Sequence, residues 1–212
     1  MRKTIIPLVL APLYLAGASL GLQACSKPAE PESAPAAAPA TAPAGKPVAL
    51  SMVTPMSTTP LPVTSLAIGT GQRIADRNTA FHEGLSAPLA WGSAAGVQSW
   101  VLMVEDPDAE TPQPFLHWLA WNIPAATVSL PEGLTAATTP PGMVEGLNGK
   151  GAPGWVAPEP PAGTGDHHYH FEIFALDTTL SLPATASRDD VVSAMRGHVL
   201  AAGETVGLAA AP

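Results

Sequence analysis

The chain has one cysteine among 212 residues, so no disulfide can form within it even in an oxidising compartment. Basic residues are also scarce, with nine Lys and Arg against 17 Asp and Glu. Two of the nine, Arg2 and Lys3, fall in the first 24 residues, which leaves seven for the rest. No basic patch survives that balance, and nucleic acid is not an expected partner. No G-x-S-x-G elbow, Walker loop or dinucleotide glycine fingerprint is present, so a nucleophile-based enzyme has no support in the sequence. There is no internal repeat.

What the chain does have is unevenly spread. Residues 1–24 read as a secretion signal, with Arg2 and Lys3 ahead of an apolar run, Ile5 to Leu22. Pro7, Pro12 and Gly17 break that run, which makes it a poor permanent membrane helix. Leu22-Gln23-Ala24-Cys25 resembles the bacterial lipoprotein processing box, and Cys25 is the expected acylation site. Gln23 is an unusual occupant of that box, and an ordinary signal peptide with a chance cysteine is the alternative. Ser26 after the cysteine implies export to the outer membrane, so the expected place is the cell envelope, facing the periplasm. Residues 25–60 are rich in Pro and Ala with few large apolar side chains, and cannot bury enough surface to offset their ordering entropy. They read as a tether, with a short strand possible at Leu50 to Val53. Twenty such residues in polyproline II reach roughly 60 Å at about 3.1 Å each.

A globular domain is expected over 61–212. Residues 62–68 predict a strand ended by Gly69-Thr70-Gly71, and Phe81 to Trp91 a loop with a short strand at most. Gln98 to Val104 and Phe115 to Ile123 predict two strands around a proline-punctuated turn. His167 to Leu176 (H-H-Y-H-F-E-I-F-A-L) is the best strand pattern, with His167 and Tyr169 on one face and His168 and His170 on the other. Ser187 to Ala202 predicts a helix, capped by Ser187 with Asp190, striped by Val191, Met195 and Val199, and stopped by Gly203. Between these elements, Pro140 to Gly165 holds seven Gly and six Pro in 26 residues. A structureless stretch of that length is usually functional, and it is expected to wall a cavity.

Asp106-Pro107-Asp108 closes the first of the paired strands, and His117 sits in the second. Pro107 biases Asp106 toward extended geometry, which would point Asp106 and Asp108 the same way, facing the histidine. The plainer alternative is a turn made of Asp and Pro. His168 and His170 could share a face and chelate, but no known zinc spacing accompanies them, and no metal or cofactor is expected. A composite of Asp106, Asp108, His117 and His167 remains geometrically open.

D106-P-D-A with H117-W-L-A-W-N-I-P, followed by G154-W-V-A-P-E-P-P-A-G-T-G-D-H-H-Y-H-F-E-I-F-A-L-D177, resembles the phosphatidylethanolamine-binding protein family. The closest type is the bacterial branch often called Raf kinase inhibitor-like proteins. F81-H-E-G-L-S-A-P-L-A-W looks like a degraded third family segment, and the resemblance covers roughly 62–210. It implies a mainly β fold, with a large central antiparallel sheet, a smaller second sheet and a few helices. It also implies a small anion pocket for phosphate, acetate or a phosphoryl headgroup, lined by Asp106, Pro107, Asp108, His117, Pro158, His167 and Tyr169. Against the family pattern stand Glu110, Trp155, Ala157 and Glu159, and the acids Glu105, Glu110 and Glu159 could oppose an anion. The expected function is therefore a lipid-anchored binding module for a small anionic or phosphoryl ligand rather than an enzyme. The alternatives are an inhibitor or regulator of a protease or kinase acting through a protein partner, and a metal-assisted hydrolase built on the Asp/His cluster.

Overall fold

The computed structural model describes residues 45–69 and 72–212. The expected signal segment, Cys25 and the tether as far as residue 44 lie outside the described residues. Among the described residues no helix is long and apolar enough to cross a membrane.

Three long strands form the centre. β3 is Ser99–Asp106, β4 is Phe115–Pro124 and β7 is His167–Leu176. They pair antiparallel within a five-stranded sheet of order β6-β4-β3-β7-β8, with β6 at Val144–Glu145 and β8 at Val199–Ala209. A three-stranded sheet, β1-β2-β5, comprises Val63–Thr64, Leu89–Trp91 and Ser129–Leu130. The fold is mainly β, two antiparallel sheets with few helices.

β3 reads S-W-V-L-M-V-E-D without alternation because both of its faces are covered. On one face Trp100, Leu102 and Val104 join Trp118, Phe171 and Ile173 beneath the small sheet. On the other, Val101 and Met103 join Leu119, Trp121 and Phe174 beneath two helices. These are α1, Ala49–Met52, and α2, Arg188–Met195. Burial of all this apolar surface, at about 25 cal/mol per Å², is the main force holding the layers together.

Several expectations need correction. The helix expected over Ser187 to Ala202 keeps its start, with a reciprocal Ser187–Asp190 capping box, but ends at Met195. Gly197 takes φ +80, where a side chain would be strained, and turns the chain into β8. Val191 and Met195 are buried on the helix, whereas Val199 is buried as the first residue of a strand. Gly203 does not stop a helix. It lies within β8, where a Cβ would come within 1.9 Å of the Leu61 carbonyl oxygen. The Gly/Pro-rich stretch is also not structureless throughout, since β6 pairs with Ala120 and Trp121 of β4.

The largest difference is at residues 46–60, which composition assigned to the tether. Leu50 to Val53 adds no strand, and Ala49–Met52 is instead a single helical turn. Met56, Ser57 and Leu61 donate backbone hydrogen bonds to Val199, Leu200 and Ala202. The Ala49 amide donates to Glu105 Oε2 at 2.6 Å, and the Leu50 amide to Glu172 Oε1 at 2.8 Å. Both glutamates are fully buried on the helix-covered face. A buried carboxyl group needs donors, and this strap supplies them. Arg188 completes the cluster, pairing with Glu105 through Nε and Nη2 while Nη2 also donates to the Pro47 carbonyl at 2.9 Å. Burial and the neighbouring charge of Glu105 hold the Glu172 pKa well above the usual carboxylate range.

Candidate ligand-binding site

At one end of the large sheet, β3, β4 and β7 deliver Asp106, His117, His167 and Tyr169 into one cavity of about 210 Å³. That is smaller than the roughly 300–1,000 Å³ of drug-sized sites, and suits a headgroup-sized ligand. The Gly/Pro-rich stretch supplies one wall through Lys150, Val156, Ala157, Glu159, Pro160 and Pro161.

His117 owes its place to a β-bulge. Val104 pairs with Trp118 and Glu105 with Leu116, so His117 is the extra residue on β4. Strict alternation would put His117 and Trp118 on opposite faces. The bulge instead sets both toward Trp155, at ring-centroid distances of 6.2 and 5.8 Å. His117 also stands edge-on to Phe115 and Tyr169, at 4.8 and 5.1 Å. Its Nδ1 lies 2.7 Å from the Val156 carbonyl oxygen, which can only accept, so Nδ1 carries the proton. Burial pushes the His117 pKa down to about 4, although the Val156 carbonyl and the Asp106 charge both oppose that shift. The ring is therefore neutral at pH 7.

Asp106 ends β3 as a hub. Its Oδ1 accepts from the Asp108 and Ala109 amides at 2.8 and 3.2 Å, closing the turn. Its Oδ2 accepts from His167 Nδ1 at 2.8 Å, with both side chains 5% exposed. Asp106 thus orients His167 rather than offering an oxygen to the cavity. His167 Nε2 is 2.9 Å from Thr164 Oγ1, which is itself 2.8 Å from the Pro161 carbonyl. Tyr169 is fully buried and its hydroxyl has no partner among the described residues. Burial, with the charges of Asp106 and Asp108, raises the phenol pKa, so it stays a neutral donor.

The remaining expected residues do not line the cavity. Asp108 does not point with Asp106, because the strand ends at Asp106 and the chain turns. Its Oδ2 accepts instead from the His168 amide and from His168 Nδ1, both at 2.8 Å, on the other face of β7. Burial opposes ionisation of Asp108, but those two bonds outweigh it and lower its pKa. The Pro107 carbonyl accepts from Lys46 Nζ of the strap at 3.3 Å. Pro158 is buried behind the wall, its carbonyl accepting from the Ala80 amide at 2.8 Å. The loop around Gly84 braces the same wall, since Trp155 Nε1 donates to the Gly84 carbonyl at 3.1 Å.

Sequence reasoning missed Phe115, Lys150 and Thr164. Lys150 lies in N-G-K-G and Thr164 in G-T-G, and polar residues between glycines in a cavity wall were the available signal. Of the three acids that could oppose an anion, Glu105 faces the opposite side of the sheet, paired with Arg188. Glu159 pairs with Lys150 at 3.3 Å, and only Glu110 adds acid to the lining without such a pairing among the described residues. No group of three or more His, Cys, Asp or Glu among the described residues is placed to hold a metal ion.

A family model described as phosphatidylethanolamine-binding protein matches residues 64–210. The chain belongs to the phosphatidylethanolamine-binding protein family. Within this family, the crystal structure of Escherichia coli YbcL superimposes with a TM-score of 0.67 at 29% identity, covering 73% of this chain and all of that one. A UPF0098 protein of Pyrococcus horikoshii is 47% identical over 120 residues, 55% of this chain and 60% of that protein. The chain thus spans about three fifths of that relative's length. A Methanothermobacter thermautotrophicus UPF0098 protein is 41% identical over 138 residues, 64% of this chain and 89% of that protein. Mycobacterium tuberculosis LppC, whose name marks it as a candidate lipoprotein, is 34% identical over 128 residues, 60% of this chain and 61% of that protein.

Proposed function

We propose that this family member is a binding module whose cavity accepts a small oxyanion of the phosphoryl type, carried on a protein held to the cell envelope through acylated Cys25. The observation that carries the reading is Tyr169, which lines a headgroup-sized cavity beside the Asp106–His167 pair and whose buried hydroxyl has no partner among the described residues. An orphaned buried donor costs stability unless something fills it, and an oxyanion does so. Lys150 brings a positive charge to the lining, shared with Glu159.

Calorimetric titration of the full chain with inorganic phosphate tests this. Tyr169→Phe is expected to weaken binding by about 1.5–3 kcal/mol, the range for a hydrogen bond to a charged group, with no loss of thermal stability. His168→Ala, altered on the far face of the strand, leaves the affinity unchanged. Equal affinity in wild type and Tyr169→Phe would remove the site assignment. The envelope part rests on the lipoprotein-like box ahead of Cys25 and on the name of the mycobacterial relative. Cys25→Ala is expected to release the protein from the membrane fraction or leave it unprocessed. Wild-type protein recovered soluble with a free thiol would refute the anchor.

A further inference from the structure

In a small polar cavity the donors and acceptors facing the ligand decide which protonation state of that ligand fits. His117 Nδ1–H is spent on the Val156 carbonyl, 2.7 Å away, and among the described residues no group bonds to Nε2. A buried neutral imidazole therefore turns a lone pair, not a proton, to the cavity. His167 is occupied at both nitrogens, by Asp106 and by Thr164. Asp106 has both oxygens filled. Among the described residues, what the buried walls leave for a ligand is one acceptor, His117 Nε2, and one donor, the Tyr169 hydroxyl.

An anion with acceptor oxygens alone satisfies Tyr169 and sets a lone pair against the lone pair of His117. Sulfate, the phosphate dianion and a phosphodiester are all of this kind. An oxyanion that keeps one acidic O–H donates to His117 and accepts from Tyr169 at once. We propose that the cavity selects oxyanions bearing their own O–H, namely phosphate-monoester monoanions and dihydrogen phosphate, over diester headgroups and sulfate. This rests on the oxyanion reading above and specifies its ligand class. Sites built to bond a ligand's O–H reject the analogue lacking it, here by at least about tenfold.

The pH dependence then belongs to the ligand. The charged and titratable groups facing His117 are Asp106 from β3, His167 and Tyr169 from β7, and Lys150 and Glu159 from the wall, with Glu110 beyond the turn. None of them changes when one phosphate is exchanged for another, so the ligand's own ionisation can be separated from theirs.

The experiment is calorimetry of the full chain at constant ionic strength from pH 5 to 8.5, and it needs no variant. The probes are methyl phosphate, fluorophosphate, dimethyl phosphate and sulfate, with phosphoethanolamine and glycerophosphoethanolamine to separate a free monoester from a lipid-type diester. At pH 5.5 methyl phosphate is expected to bind at least about tenfold tighter than dimethyl phosphate or sulfate. Its affinity then falls about tenfold per pH unit above its second ionisation, near about 6 for a phosphate monoester. Fluorophosphate, which ionises lower, shows the same decline displaced to lower pH, and phosphoethanolamine outbinds glycerophosphoethanolamine. Sulfate or a diester binding as tightly as its monoester counterpart overturns the selection while leaving the oxyanion reading standing. A common pH midpoint for methyl phosphate and fluorophosphate does the same, because a protein group would then be titrating. Failure of every probe to bind overturns the oxyanion reading, and the selection with it.

Discussion

Arg188→Met tests the account of the helix-covered face. Arg188 is 8% exposed and Glu105 is fully buried, and the guanidinium reaches both carboxylate oxygens. Removing the cation leaves Glu105 buried with the Ala49 amide as its remaining donor. Breaking a buried pair from one side costs about 3–5 kcal/mol, a large share of the roughly 5–15 kcal/mol that holds a domain together. With an m-value near 2 kcal/mol/M, the urea midpoint should fall by about 2 M. Trp100, Trp118 and Trp121, all buried, report the transition by fluorescence. The decisive arm is the double variant Arg188→Met with Glu105→Leu, which removes both charges and should recover most of the loss, giving a coupling energy of about 2 kcal/mol or more. A loss below about 1 kcal/mol for Arg188→Met, or a double variant as unstable as the two singles added, would show that the pair does not hold this face.

Two further outcomes follow from the same cluster. Glu172 has a raised folded pKa, so between the unfolded carboxyl value, near about 4.3, and that raised value the folded state binds more protons than the unfolded one. Stability is thus lost as pH rises across that window, and Glu172→Gln should be more stable than wild type at pH 7 but indistinguishable near pH 4, as read by melting temperature. Deleting residues 1–44 should leave unfolding cooperative and unchanged, whereas deleting 1–60 strips Glu105 and Glu172 of their strap amides and should lower the melting temperature by many degrees in scanning calorimetry.

Much of this was legible in the chain. β7 is bounded by His167 and Leu176 as its pattern says, since ten residues of alternating and aromatic character leave little else for them to form. β3 and β4 fall within two residues of expectation, and the α2 cap is as its sequence reads. Apart from the early end of α2 at Met195, where Gly197 turns the chain, the failures are non-local. A bulge is set by pairing register, and nothing in F-L-H-W-L-A-W announces that His117 and Trp118 share a face. The divergence of Asp106 and Asp108 depends on where the strand stops, a boundary that Pro107 marks ambiguously. The strap escaped because a Pro/Ala-rich average hides a few backbone amides, and those amides matter only because two glutamates lie under them. The role of Gly203 is invisible until Leu61 is seen crossing it.

Lys46 gives the strap a mechanical meaning. Its ammonium donates to the carbonyls of Pro107 and Ala109, in the turn whose amides Asp106 gathers. Lys46 therefore stands against the turn that borders the cavity. A pull on Lys46 reaches this turn first and the Glu105–Arg188 cluster next, and through Glu105 it loads β3. Were the protein held through Cys25 and its cavity filled by an oxyanion, as proposed, anchorage and binding would share one short lever.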